Sequence, residues 1–210
     1  KAARQQFIRQ CGHSLPVFDR PVRFMDIGCG DGALTATLLT RLVDAGNVPG
    51  AREVLLVELS PAMAALAEET VRDALPGVDI AVRNSRMEDC PPSIDSHFEI
   101  AMSSLACHHR PIERKRVHLS RPKPWIDHLV PFEMDEHNNT PEGFTPDPAL
   151  SVSQSCSRII GFILTHDAPV HPAIDCVDSF MREEIVSLLT EPRGKRLDYH
   201  MLCRQWHALR

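Results

Sequence analysis

No stretch of the 210-residue chain approaches the roughly 18–20 consecutive apolar residues that a membrane-spanning helix requires, so a membrane role is not expected. Basic charge is not in surplus either. Lys+Arg number 23 against 28 Asp+Glu, a formal charge of −5, which argues against nucleic-acid binding by bulk charge. There is no CxxC pair. The seven cysteines stand at 11, 29, 90, 107, 156, 176 and 203, odd in number and widely spaced. That pattern excludes a disulfide framework and a zinc ribbon and fits the reduced thiols of a cytoplasmic protein. No signal peptide, internal repeat or low-complexity tract is visible. The chain starts at Lys1, so a processed or trimmed N-terminus is expected, and the missing targeting segment carries little weight.

What remains is an ordinary globular composition, 43% hydrophobic and 24% charged, in a length that suits one domain or one domain with an appendage. Five apolar stretches read as strands, at 22–27, 53–59, 78–82, 98–105 and 129–134. A short helix is expected over 1–10, and a loop over 11–21 from Gly12, Pro16 and Pro21. Leu34, Leu38, Leu39 and Leu42 share one helical stripe, closed by Gly46. Ser60-Pro61 reads as an N-cap followed by proline at the first helical position, with Gly77 as the stop. A basic, exposed helix is expected over 111–119. Strands alternating with helices over about 130 residues imply an α/β, doubly wound, mostly parallel sheet with right-handed crossovers. Pro131 falls inside the fifth strand, where it lacks a ladder donor and so suggests a sheet edge.

Residues 24–33 read FMDIGCGDGA, a glycine loop between a strand and a helix. Such glycines let the backbone approach a ligand, and the helix N-terminus behind them offers free N–H groups. The loop also satisfies GxGxxA, the dinucleotide pattern, so an NAD(P)-dependent oxidoreductase stands as an alternative. Three carboxylates shift the reading. Asp26, two residues before Gly28, would repel a pyrophosphate and suit an ammonium group. Glu58, ending the second strand, suits two ribose hydroxyls. Arg86-Met87-Glu88-Asp89 follows the third strand, where a carboxylate and an amide can read adenine. A ligand with an ammonium, a ribose diol and an adenine is S-adenosylmethionine.

FMDIGCGDG, VLLVELS and FEIAMSSLACHH, in this order, resemble the class I (Rossmann-like) S-adenosylmethionine-dependent methyltransferases over about residues 22–135. The resemblance implies sheet order 3-2-1-4-5, with Asp26, Gly28, Cys29 and Gly30 at the methionine end. It implies Glu58 on the ribose, Leu59 on the adenine face, and Met87 (through its amide) and Glu88 as adenine contacts, with Asp89 the substitute if the register slips by one. Ser103 and Ser104 look like the positions near the transferable methyl. The chain departs from the family in two places. The usual Gly-rich turn before strand five reads Pro122-Lys123-Pro124-Trp125-Ile126, and the closing strands six and seven are expected to be absent.

For the chemistry, His108 and His109 follow strand four at the ligand-binding edge and can serve as a base where the acceptor arrives protonated. Glu133 and Asp135 close strand five, and Asp135 is the favoured acceptor contact. Glu133 alternatively serves as a loop cap. The eleven histidines form no HxxxH pair, so no metal is expected. Residues 1–142 are expected to form the cofactor-binding core and 143–210 a helical lid over the substrate. Methyl transfer to a small-molecule acceptor is the leading reading. A non-catalytic cofactor-binding remnant is the further alternative. The sequence does not fix the oligomeric state.

Overall fold

The computed structural model describes residues 2–86, 89, 97–107, 112–121 and 123–133. Nine α-helices and strands run through them, besides a short 3-10 turn: α1 Ala2–Ser14, β1 Val22–Ile27, α2 Ala33–Asp44, β2 Ala51–Val57, α3 Pro61–Ala74, β3 Asp79–Arg83, β4 Phe98–Ser104, α4 Ile112–Ser120 and β5 Ile126–Phe132. The strands form one parallel sheet in the order β3-β2-β1-β4-β5. The order reverses between β1 and β4, and at that switch point open α/β sheets leave a crevice beyond the strand carboxyl ends.

Central strands read as continuous apolar runs because both faces are covered. Phe24, Val54, Leu56, Ile100 and Met102 pack on one face with Leu34, Leu38, Leu39 and Leu42 of α2 and with Ala67 and Val71 of α3. Met25, Ile27, Leu55, Val57 and Ala101 pack on the other. The α3 start is as expected, with the Ser60 hydroxyl accepting from the Met63 N–H at 3.4 Å and Pro61 in the first turn.

Helix α1 runs to Ser14, four residues into the segment 11–21 expected to be a loop. Phe7, Cys11 and Leu15 recur every four residues and are buried in the core, so packing carries the helix past Gly12. The Asn47 amide donates to the Gly12 carbonyl at 2.9 Å and fixes this end. Strand β2 stops at Val57, which leaves Glu58 and Leu59 just past the sheet. Strand β5 begins three residues earlier than expected because Ile126 pairs with Phe98. The segment Lys123–Trp125 before it is a 3-10 turn, which needs no glycine. Pro131 is accommodated as an edge residue of the five described strands. Phe132 C=O accepts from Leu105 N–H at 2.8 Å, and N–H and C=O of one strand residue point the same way. The Pro131 nitrogen therefore faces away from β4. The lid expected over 143–210, with any later strand, lies outside the described residues.

Gly32 joins the loop to α2 at φ +74°, and a Cβ there would lie 2.9 Å from both Cα and O of Ala67. Gly32→Ala is expected to cost about 2–4 kcal/mol, from the left-handed backbone and from overpacking against an unyielding helix. Urea unfolding measures it, and a cost below about 0.5 kcal/mol would show that α3 yields freely.

Candidate functional site

The turn after β1 is built from three positive-φ glycines, each needed for a different reason. Gly32 is the helix cap that abuts Ala67. At Gly28, φ +74°, an added Cβ would sit 2.5 Å from the Ala106 Cβ, so the loop after β4 packs directly on it. At Gly30, φ +56°, nothing lies within 4 Å of an added Cβ. The loop thus presents an open, side-chain-free surface at Gly30, as a backbone awaiting a ligand should.

Glu58 ties this loop to β2. Its Oε2 accepts from the Gly30 N–H at 3.1 Å and its Oε1 from the Ser60 N–H at 3.0 Å. A carboxylate offers about four lone-pair positions. Two are used, so two further donors can be accepted. Asn84 Nδ2 donates to the carbonyls of Glu58 and Leu59, both at 2.9 Å, and holds the segment from below. Leu59 is 59% exposed although it follows a buried strand, which leaves a free apolar face beside the carboxylate.

Asp26 sits elsewhere than its sequence position suggests. Its carboxyl is buried under the loop, 1% exposed, on the face covered by α2. The Thr35 hydroxyl donates to Oδ2, while Oδ1 is buried without a partner. Burial raises the Asp26 pKa to about 7. The Thr35 hydrogen bond opposes the rise and the nearby Glu58 charge adds to it. The group is therefore a buried carboxyl whose charged form is disfavoured, with one oxygen still to be partnered, and not a surface charge that repels phosphate. Thr35, buried at the first turn of α2, went unnoticed in the sequence because only the fold reveals that it faces Asp26. Cys29 turns its thiol into the core, where burial pushes its pKa up to about 12, so only its backbone faces the loop.

At the end of β4, Ser103 is buried with its hydroxyl 3.2 Å from the Cys107 sulfur, and Ser104 is half-buried. Leu105 takes φ +50°, a sharp turn for a branched side chain. Glu133 acts as a loop cap: its Oε1 accepts from the N–H groups of Ala106 at 3.0 Å and Cys107 at 2.8 Å. Lys115 corrects the expectation of an exposed basic helix. It is 1% exposed, and burial lowers its pKa against the raising influence of Cys107 and Glu133. Burial raises the Cys107 pKa, which disfavours its thiolate.

The structure thus brings the glycine loop, Glu58, Leu59, Asp26 and the β4 end to the carboxyl edge of β1, β2 and β4. Met87, Glu88, His108, His109 and Asp135 lie outside the described residues. Among those described, no group of three or more His, Cys, Asp or Glu side chains is disposed to hold a metal, and no helix is long and apolar enough to cross a membrane.

A family model described as a methyltransferase domain matches residues 24–121, from the glycine loop through α4. No curated protein sequence matches the chain. Among solved structures, the fold resembles magnesium protoporphyrin IX methyltransferase from Synechocystis PCC 6803 with bound SAH, at TM-score 0.54 and 13% identity, over 99% of this chain and 71% of that one. Fainter likenesses are the cyclopropane synthase MmaA2 from Mycobacterium tuberculosis (TM-score 0.47, 18% identity, 85% of this chain) and the bifunctional kinase-methyltransferase WbdD (0.45, 16%, 67%). The chain spans only 59% and 28% of those two proteins' lengths.

Proposed function

We propose that the chain, whose residues 24–121 match a methyltransferase-domain model, is a class I, Rossmann-like S-adenosylmethionine-dependent methyltransferase that transfers a methyl group to a small-molecule acceptor. One observation carries the donor side. An open glycine backbone at Gly30 is fastened by Glu58, whose carboxylate keeps two acceptor positions, beside the exposed Leu59. A ribose diol fits that carboxylate and an adenine face fits that leucine. The unpartnered Oδ1 of Asp26 fits an ammonium donor from the methionine end. The residues therefore suit S-adenosylmethionine, with Gly28 and the backbone of Cys29 lining the same loop. Met87 and Glu88 complete the proposed adenine contacts.

When bound, the cofactor supplies an electrophilic sulfonium methyl. The task left to this chain is alignment and exclusion of water. Ser103 and Ser104 are assigned to the methyl end from their place at the close of β4. His108, His109 and Asp135 are assigned to the acceptor, where a neutral imidazole takes a proton from a protonated nucleophile. Apolar patterning in 143–210 supports a cover over that acceptor. The small-molecule reading draws on the net acidic charge and on the porphyrin acted on by the magnesium protoporphyrin IX methyltransferase. A cytoplasmic location belongs to the same reading, from cysteine usage alone.

The test uses the full chain with methyl-labelled S-adenosylmethionine and a cell extract, separated afterwards into low-mass, protein and nucleic-acid fractions. Label is expected in the low-mass fraction. Label confined to protein or nucleic acid would overturn the acceptor class and leave the transferase reading standing.

A further inference from the structure

Asn84 follows the last residue of β3, and its side chain reaches across to the end of β2. The amide nitrogen donates to the carbonyls of both Glu58 and Leu59, at 2.9 Å each. A side-chain amide carries two N–H donors on one nitrogen, and here both meet backbone acceptors. The main chain reinforces the link, because the Glu58 N–H donates to the Arg83 carbonyl at 3.1 Å. From the other side, the Glu58 carboxylate accepts from Gly30 and Ser60.

These bonds set where β2 stops and how the chain leaves it. Carbonyls of successive strand residues point to opposite sides. The Val57 carbonyl points to the β1 side, where it accepts from the N–H groups of Gly28 at 2.8 Å and Cys29 at 3.2 Å. The Glu58 carbonyl points to the β3 side, where Asn84 meets it. In a continued strand the Leu59 carbonyl would return to the β1 side. It meets the same Asn84 nitrogen instead, so the chain turns at Leu59. That turn leaves Leu59 59% exposed and leads directly into the Ser60 cap of α3. Asn84 itself is exposed, so the core does not depend on it.

We propose that Asn84 is a positioning residue for the nucleoside half of the cofactor: by holding both carbonyls of the turn, it aims the Glu58 carboxylate at the ribose and the Leu59 side chain at the adenine. Asn84 acts through the backbone and not on the cofactor. One side chain from the neighbouring strand's end thereby sets two residues that meet different parts of one ligand. The proposal rests on the reading of Glu58 and Leu59 as ribose and adenine contacts, and it adds the residue that orients them.

The experiment measures S-adenosylhomocysteine affinity by calorimetry, well below each variant's melting temperature. It compares the wild-type chain with Asn84→Asp, Asn84→Ala, Glu58→Ala and the double variant of Glu58→Ala with Asn84→Ala. Aspartate keeps the shape of asparagine but sets acceptors against the two carbonyls. Alanine removes the donors without adding charge, and that variant decides the matter if Asn84→Asp does not fold. Asn84→Asp is expected to weaken binding about tenfold and Asn84→Ala about three- to tenfold, with little change in melting temperature. In the double variant, Asn84→Ala is expected to add less than it costs alone, because the carboxylate it orients is gone. Wild-type affinity in Asn84→Ala, whatever Asn84→Asp does, would overturn the positioning role and leave the cofactor reading standing. So would additive losses in the double variant. A wild-type chain that fails to bind S-adenosylhomocysteine would sink the cofactor reading itself, and this proposal with it.

Discussion

Glu58→Ala is expected to weaken S-adenosylhomocysteine binding by at least about tenfold and to leave the sheet intact. The two free acceptor positions of Glu58 would each hold a hydroxyl in a charge-assisted hydrogen bond, worth roughly 1.5–3 kcal/mol before compensation. About 1.4 kcal/mol already corresponds to tenfold. The structure adds a second component. Removing the carboxylate also releases the Gly30 and Ser60 N–H groups that it holds at 3.1 and 3.0 Å. Both lie near the surface and can turn to water, so the cost falls on loop order more than on global stability. Glu58→Gln does not rescue. Its amide nitrogen must face either the Gly30 or the Ser60 N–H, donor against donor, so one of the two ties breaks. Calorimetry with circular dichroism measures both effects. Unchanged affinity in Glu58→Ala would remove Glu58 from the site.

Asp26→Asn is expected to stabilise the fold and weaken the cofactor together. Folding raises the carboxyl pKa from 3.8 to about 7, mainly by burial. Between those values the folded chain holds a proton that the unfolded chain releases. The contribution of this group to stability is therefore highest below about pH 4, falls as the pH rises toward 7, and levels off above it. Asparagine has no charge to bury and still accepts from Thr35, so it escapes this loss. The gain at pH 8 is expected to be on the order of 2–4 kcal/mol, and it should vanish near pH 4. Binding moves the other way, because an amide oxygen attracts an ammonium less than a carboxylate does. Melting curves at pH 5 and 8, with one titration at pH 8, measure both. An asparagine variant less stable than wild type at pH 8 would contradict the burial cost.

The strands and the glycine loop were legible because each is a local pattern. A continuous apolar run marks a strand covered on both faces, and three glycines in five residues mark a turn needing positive φ. Glu58 was legible through its place at the end of β2, although its grip on Gly30 and Ser60 depends on how the loop folds over it. The burial of Asp26 was not legible. Its partner Thr35 is nine residues away, and only the docking of α2 brings the two together. Lys115 was hidden by composition: a helix reading IERKRVHLS looks solvated throughout, and nothing local marks which cation turns inward. Glu133 had two readings in the sequence, and the geometry selects the loop cap. The extension of α1 and the early start of β5 share one cause, long-range packing that overrides Gly12 in one case and pairs Ile126 with Phe98 in the other.

The central claim is that the crevice between β1 and β4 takes S-adenosylmethionine and not a dinucleotide. Calorimetric titration of the full chain at pH 7.5, with S-adenosylhomocysteine in one arm and NAD in the other, tests it most directly. The account predicts saturable binding of S-adenosylhomocysteine at one site per chain, with about tenfold loss or more in Glu58→Ala and no heat from NAD. Saturable NAD binding with none of S-adenosylhomocysteine would contradict it.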